Sequence, residues 1–242
     1  MEQSFILKAQ SPAALAEEYI VKSIWENKYP AGTELPAERE LADKIGVTRT
    51  TLREVLQRLA RDGWLTIQHG KATRVNDIWQ SAGPNVLNTV LKLDHTLAPV
   101  IVSNVLSLRT RMAEYYVREA VKISPKDSLA LFAPLAELAD TPEAYVEFDY
   151  NLFRQFTFIA NKPVYALVLN SFRSMYLQVA SLFFQNAQAR ELTLQFYLQL
   201  QKLCEAGDYN GVMECIIRNR HESGQFWSAI LQSLPESFGE NK

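Results

Sequence analysis

Between Gly46 and Gly63 the apolar residues Leu52, Val55, Leu56 and Leu59 recur at i, i+3, i+4 and i+7, a spacing that a helix gathers into one stripe. Arg49, Thr50, Arg53 and Gln57 fall off that stripe and face outward. Thr48 is placed to cap the helix N-terminus, and Gly63 is placed to end it. One side of this helix is committed to a core. The other offers arginine and threonine at its N-terminal end, a pairing that suits the base edges and phosphates of a DNA major groove. A charged outer face is equally what a plain solvated helix shows, so the neighbouring sequence decides between the two.

Upstream, Ser11-Pro12 opens a helix with Ala13, Ala16, Ile20 and Ile24 on one side, and Pro30-Ala31-Gly32 ends it in a turn. Residues 37–45 read as a short helix that turns Leu41 and Ile45 inward and stops at Gly46. Helix, short helix, Gly-containing turn and helix in this order match a helix-turn-helix. Downstream the period changes. Residues 64–68 alternate as a strand, His69-Gly70-Lys71 form a turn, and Thr73-Arg74-Val75 begin a return strand. A hairpin after such a helix is a wing. Its glycine permits close backbone approach, and its basic flanks suit a minor groove or phosphates.

The rest of the chain carries almost no strand pattern. Residues 76–84 mix Asn, Asp, Ser, Gly and Pro and read as a linker, with Ile78 and Trp79 packing it against a domain. Helical segments follow over 85–93, 98–122, 126–139, 142–160, 163–185, 190–206 and 209–233, which must pack as an antiparallel α-helical bundle. The expected fold is therefore mostly α: a winged helix-turn-helix with a two-stranded wing over 1–75, the linker, and a helical domain over 85–242. Residues 1–10 show little pattern and are expected to be loose.

Bulk properties narrow the function. A net charge of −2 excludes a chain basic all over but not a local basic patch. Cys204 and Cys215 have no metal-type or framework spacing and read as core thiols of a reducing compartment. No apolar run reaches the roughly 18 residues of a membrane span, and no signal-peptide pattern opens the sequence, so a cytoplasmic protein is expected. There is no Gly-rich phosphate loop, no Ser/His/Asp grouping and no convincing carboxylate pair, so no catalytic residue is assigned and an enzyme is not expected.

The first domain resembles the GntR family of regulators. The residues that carry the likeness are Leu35-Pro36-Ala37-Glu38-Arg39-Glu40-Leu41-Ala42, Val47-Thr48-Arg49-Thr50, Arg53-Glu54 and Gly70-Lys71. The family often has serine at Ala37 and glycine at Ala72, both mild departures. The resemblance implies a homodimer on a pseudo-palindromic double-stranded operator, each recognition helix in the major groove and each wing tip in the adjoining minor groove. Carried over residue by residue, the DNA contacts are Ala37, Glu38, Arg39, Thr48, Arg49, Thr50, Thr51, Arg53, His69 and Gly70. Arg49 is the residue expected to read guanine.

Within that family the chain is most like its fatty-acid-responsive regulators. The likeness runs through residues 46–71 and continues, more loosely, at Phe148-Asp149-Tyr150-Asn151, Phe196-Tyr197 and His221-Glu222-Ser223-Gly224 followed by Trp227. It implies a regulator of fatty-acid degradation and synthesis genes, repressing or activating, that releases DNA when long-chain acyl-CoA enters the helical domain. Arg109, Ser223 and Trp227 carry over to the ligand site, and Phe148, Leu152, Tyr176, Phe183, Phe184 and Phe226 are candidates to line an acyl tunnel. Arg109 sits amid Val105, Leu106 and Leu108, so it needs a phosphate or a buried carboxylate partner.

The chain departs from that pattern at Asn219 and Arg220, where the relatives have tyrosine and glycine, and at Gln232, where lysine is expected. Arg220 either blocks the site or supplies a substitute cation, and weakened or altered acyl-CoA binding is expected. The alternative is a regulator that senses a different small organic acid. Many relatives hold a divalent metal through one Asp and three His; Asp149 matches the first, but Phe153, Tyr197 and Asn219 stand at the others, so no metal and no cofactor are expected.

Overall fold

The structure is a computed structural model that describes residues 10–235 and 238, so the expected looseness of residues 1–9 lies outside the described residues. The chain divides into two compact units, which meet in sequence between Val86 and Leu87.

In the first unit, α1 (Pro12–Trp25) is capped by Ser11, whose hydroxyl accepts from the Ala14 amide at 3.2 Å. Helix α2 (Glu38–Ile45) ends at Gly46 with φ +81°, and α3 (Arg49–Arg61) begins under the Thr48 cap. Leu52, Val55, Leu56 and Leu59 are all buried, as their spacing requires, against α1 and α2. The Arg58 guanidinium meets the Glu17 carboxylate at 2.5 Å and ties α3 to α1.

The wing is β1 (Leu65–Thr66) paired antiparallel with β2 (Arg74–Val75), with Leu65 opposite Val75 and Thr66 opposite Arg74. The strands are shorter than the alternation at 64–68 suggested. A third edge is present as well: the Leu35 amide donates to the Thr73 carbonyl and the Val75 amide to the Thr33 carbonyl, both at 2.8 Å.

The segment expected as a linker folds back on the end of α3. It carries α4 (Ile78–Ser81), capped by Asp77. The Gly63 carbonyl accepts from Asn76 Nδ2 at 3.0 Å and from Ser81 Oγ at 2.9 Å. Gly63 has φ +93°, and a Cβ there would lie 2.7 Å from the Ala82 Cα. The glycine that ends the helix thus also admits this segment. Ile78 is buried but Trp79 is 62% exposed, so of the two residues expected to pack, only the first does.

The second unit consists of α5 (Leu87–Leu93), α6 (Ala98–Ile123), α7 (Pro125–Ala130), α8 (Pro142–Ile159), α9 (Pro163–Ser171), α10 (Arg173–Phe184), α11 (Ala187–Ala206) and α12 (Tyr209–Gln232). Helix α12 packs along α6 and α11, and α8 along α6 and α10. Two segments expected as single helices are broken. Over 126–139, α7 gives way to a 3-10 turn at Ala133–Glu137, where Pro134 withholds the amide a longer helix needs. Over 163–185 the chain leaves helical geometry at Phe172, which is buried between α9 and α10. Cys204 and Cys215 are buried free thiols, and burial pushes the Cys204 thiol up to about 12. Among the described residues no helix is long and apolar enough to cross a membrane.

Candidate nucleic-acid interface and effector cavity

The outward face of the first unit is assembled from the starts of α2 and α3 and from the wing. Ala37, Arg39, Thr48, Arg49, Thr50, Arg53, His69 and Gly70 are exposed, while Glu38 and Thr51 are half-buried. Thr48 orders the start of α3: its hydroxyl accepts from the Thr51 amide at 3.1 Å and shares a hydrogen bond with the Thr51 hydroxyl at 2.9 Å. The side chains of Arg49 and Thr50 therefore leave a fixed first turn, whose free amides and dipole also favour an anion. Arg53 Nε donates to Glu38 Oε2 at 2.6 Å, which joins the first turn of α2 to the second turn of α3. A shallow cleft along α3 runs from Arg53 and Gln57 to Ile67 at the base of the wing. At the wing tip Gly70 has φ +74° with open space around it, and His69 and Lys71 flank it, exposed.

The second unit holds a cavity of about 300 Å³ with α6 and α12 as its walls. Each wall shows a run of small or polar side chains at helical spacing: Ser103, Ser107 and Thr110 on α6, and Ser223, Gly224 and Ser228 on α12. Small residues here leave a gap where two long helices would otherwise close on bulky side chains. Apolar lining comes from Phe153, Ala180, Phe183, Phe184 and Phe196, on α8, α10 and α11. Phe183 stacks on Trp227 with ring centroids 4.2 Å apart. Of the expected ligand residues, Arg109, Phe183, Arg220, Ser223 and Trp227 all line this cavity, together with Tyr176 and Phe184. Phe148 and Leu152 do not; they line a separate groove beside Pro134 and Glu147. Phe226 meets Phe183 edge-on from behind the lining, and Gln232 lies exposed at the end of α12.

Both cavity arginines are ion-paired. Arg109 finds the buried carboxylate its apolar surroundings require: its guanidinium donates to Asp149 Oδ2 and lies over the rings of Phe153 and Tyr176, 4.3 and 4.9 Å from their centroids. The Tyr176 hydroxyl donates to the same oxygen, and the Tyr197 hydroxyl donates to Oδ1 at 2.8 Å. Burial pushes both tyrosine pKa values well up, so the phenols stay protonated as donors. Burial, the largest influence, works to lower the Arg109 pKa, but Asp149 together with Tyr176, Tyr116 and Tyr197 outweighs it and holds the guanidinium above its ordinary value. With side-chain exposures of 15% and 8% this is a buried pair, and removing one partner of such a pair costs about 3–5 kcal/mol.

Arg220 is held differently. Its Nη1 donates to Glu114 Oε1 at 2.7 Å, joining α12 to α6, and the two side chains are 33% and 18% exposed. A pair this open to solvent is worth on the order of 1 kcal/mol. Neither Glu114 nor the hydroxyl run on α6 stands out in the sequence. The hydroxyl run repeats at helical spacing and so was in principle detectable, whereas a pairing across 106 residues leaves no periodic trace.

The residues around Asp149 do not fit a metal. Both carboxylate oxygens are committed to Arg109, Tyr176 and Tyr197, and Phe153 and Asn219 supply no imidazole or thiolate. Among the described residues no group of His, Cys, Asp or Glu is clustered to hold one. A cation at this carboxylate is supplied by the chain itself, as Arg109.

Residues 12–75 match the family model for bacterial regulatory proteins of the gntR family, and residues 76–239 match that of the FadR C-terminal domain. A fatty acid metabolism regulator protein of Haemophilus influenzae (strain PittGG) is 59% identical over 235 residues, covering 97% of this chain and 98% of its own. Proteins of the same name from Pasteurella multocida and Klebsiella pneumoniae are 54% and 48% identical, again over nearly both full lengths. The solved structure of Lar, which controls expression of the Listeria monocytogenes agr system, covers 94% of this chain with a TM-score of 0.50 at 16% identity, a likeness of fold alone.

Proposed function

The chain belongs to the gntR family of bacterial regulatory proteins, transcription regulators rather than enzymes, and carries a FadR C-terminal domain; on that basis we propose that it regulates genes of fatty-acid metabolism and that long-chain acyl-CoA bound in its helical unit relieves its grip on DNA. It works as a cytoplasmic homodimer on a pseudo-palindromic operator. Arg49 and Thr50 meet base edges in the major groove, Arg39 and Arg53 meet phosphates or bases nearby, and the wing tip at His69 and Gly70 enters the minor groove. The observation that carries the effector reading is the cavity of the second unit: an aromatic lining for an acyl chain, with arginine, asparagine and serine side chains along one wall for a polar head.

For the ligand to act on DNA binding, it must favour one state of the protein over another, and by the same coupling DNA must weaken the ligand. Operator gel shifts with and without oleoyl-CoA, with oleate and free CoA as controls, test the reading. Loss of the shifted band with the thioester alone is the expected result; an operator complex indifferent to all three sinks it.

A second reading is favoured by one observation. A cavity of about 300 Å³ is at the small end for ligand sites, and both its arginines already have carboxylate partners. A smaller organic acid would fit that space without widening it. Thermal-shift measurements across oleoyl-CoA, decanoyl-CoA and lactate-sized acids separate the two, because only the true effector raises the melting temperature at low concentration.

A further inference from the structure

We propose that Arg220 captures the anionic head of the cavity's ligand, and that Glu114 sets the affinity by competing for it. This rests on the reading above that the cavity takes an amphiphile with an apolar chain and an anionic head.

Among the described residues two cations line the cavity, and they are not equally available. Arg109 is packed between two aromatic rings and bound to a carboxylate that two tyrosines also hold. Drawing it toward a ligand would strand Asp149 as a buried charge. Arg220 is more exposed, and among the described residues Glu114 is the partner found for its guanidinium, through Nη1 alone. The rest of its fork of N–H donors is free for a second anion. Glu114 follows Ala113, which lines the cavity, but Glu114 does not line it, so a ligand taking Arg220 leaves Glu114 half-buried at the edge and within reach of solvent.

The neighbourhood is built for a polar head. Asn219 and Ser223 line the cavity beside Arg220 within one turn of α12, and the Asn219 side-chain oxygen, an acceptor, is buried without a partner and open to a donor group beside the anionic head. Because Glu114 and Arg220 tie one wall of the cavity to the other, capture also exchanges a bond between α6 and α12 for a bond to the ligand. Occupancy is thereby linked to the separation of the two longest helices of the unit.

The test is calorimetric titration of the full-length protein with oleoyl-CoA and, separately, oleate, the two sources of an anionic head. Glu114→Gln removes the competitor and should tighten binding by about two- to fivefold. Arg220→Ala should weaken it by about tenfold or more and flatten its salt dependence, while Arg220→Lys recovers part of the loss. The swap Glu114→Arg with Arg220→Glu keeps an ion pair between the helices but turns a carboxylate to the cavity. It should keep the wild-type melting temperature and lose binding as Arg220→Ala does. If the swap binds like the wild type, or if Glu114→Gln and Arg220→Ala both stay within twofold of it, the pair is merely structural; the proposal is overturned and the acyl-CoA reading stands. If no variant binds either ligand, both fall together. Binding by Glu114→Gln where the wild type shows none supports the proposal directly.

Discussion

The arginines of the two units meet opposite fates. On the first unit Arg39, Arg49 and Arg53 stand in solvent, and the ion pair found among them in the described residues joins exposed Arg53 to half-buried Glu38. In the second unit Arg109 and Arg220 are drawn into the fold and each has a carboxylate. The difference follows from solvation. An exposed charge is stabilised by water and salt and can wait for a polyanion, whereas a buried one must bring its counter-ion with it. The face proposed to meet DNA can therefore be built from solvated charges, whereas the cavity proposed to take an anion is built from paired charges that can be traded.

The largest effect belongs to the buried pair. Arg109→Met leaves Asp149 charged, buried and held only by two phenols, and should destabilise the protein by about 3–5 kcal/mol in urea unfolding. Adding Asp149→Asn removes the stranded charge and leaves an amide oxygen to accept from one of the two phenols, with an NH2 facing the other, so the double variant should recover part of the loss. If the single variant is as stable as the wild type, Arg109 is no more constrained than the surface arginines and the contrast between the units fails.

Next comes Gly63. Alanine there must adopt φ +93° and push against Ser81 and Ala82, for a loss of about 2–4 kcal/mol in the stability of the first unit. Operator binding should fall at elevated temperature in step with melting, with ligand binding in the second unit intact. An unchanged melt would mean that residues 76–84 are not anchored on α3.

Gly63 also shows how far the sequence could be read. Its role as a helix stop followed from the end of an apolar stripe, a local pattern. Its role as the docking point for Ser81 and Ala82 did not, because a composition of Asn, Ser, Gly and Pro is the same in a free linker and in a segment bonded to a helix end. The α3 core and the turn at Gly46 were legible for the same local reason. In the helical unit, lengths and most boundaries were legible, but the break at Phe172 was set by where that ring is buried. Arg109 could be seen to need a partner, yet choosing Asp149, 40 residues away, required the packing of α6 on α8. The sites divide likewise: the face proposed to meet DNA comes from short stretches on two helices and a turn, while the cavity collects several turns of α6 and α12 with shorter pieces of α8, α10 and α11.

Arg49→Ala tests the exposed face at a third magnitude. It should weaken operator binding by about 1–3 kcal/mol, relax specificity at one base, and leave stability within about 0.5 kcal/mol of wild type. Equal weakening on scrambled DNA would make Arg49 a phosphate contact instead.

The smallest effect is the most informative about the exposed pair. Glu38 lies on the face proposed to meet DNA yet carries the wrong charge for it, and its bond to Arg53 is worth well under about 1 kcal/mol at these exposures. Glu38→Gln should therefore leave the melting temperature unchanged. On DNA it has two opposed consequences: it removes a repulsion from every phosphate backbone, and it releases Arg53 from a fixed direction. The first raises affinity for any duplex; the second weakens only the complex that needs Arg53 in one place. Scrambled-DNA affinity should rise by about two- to fivefold while operator affinity stays level, so the ratio between them narrows. A rise of the same size on both would show that Glu38 merely repels, and that Arg53 needs no guidance to find its contact.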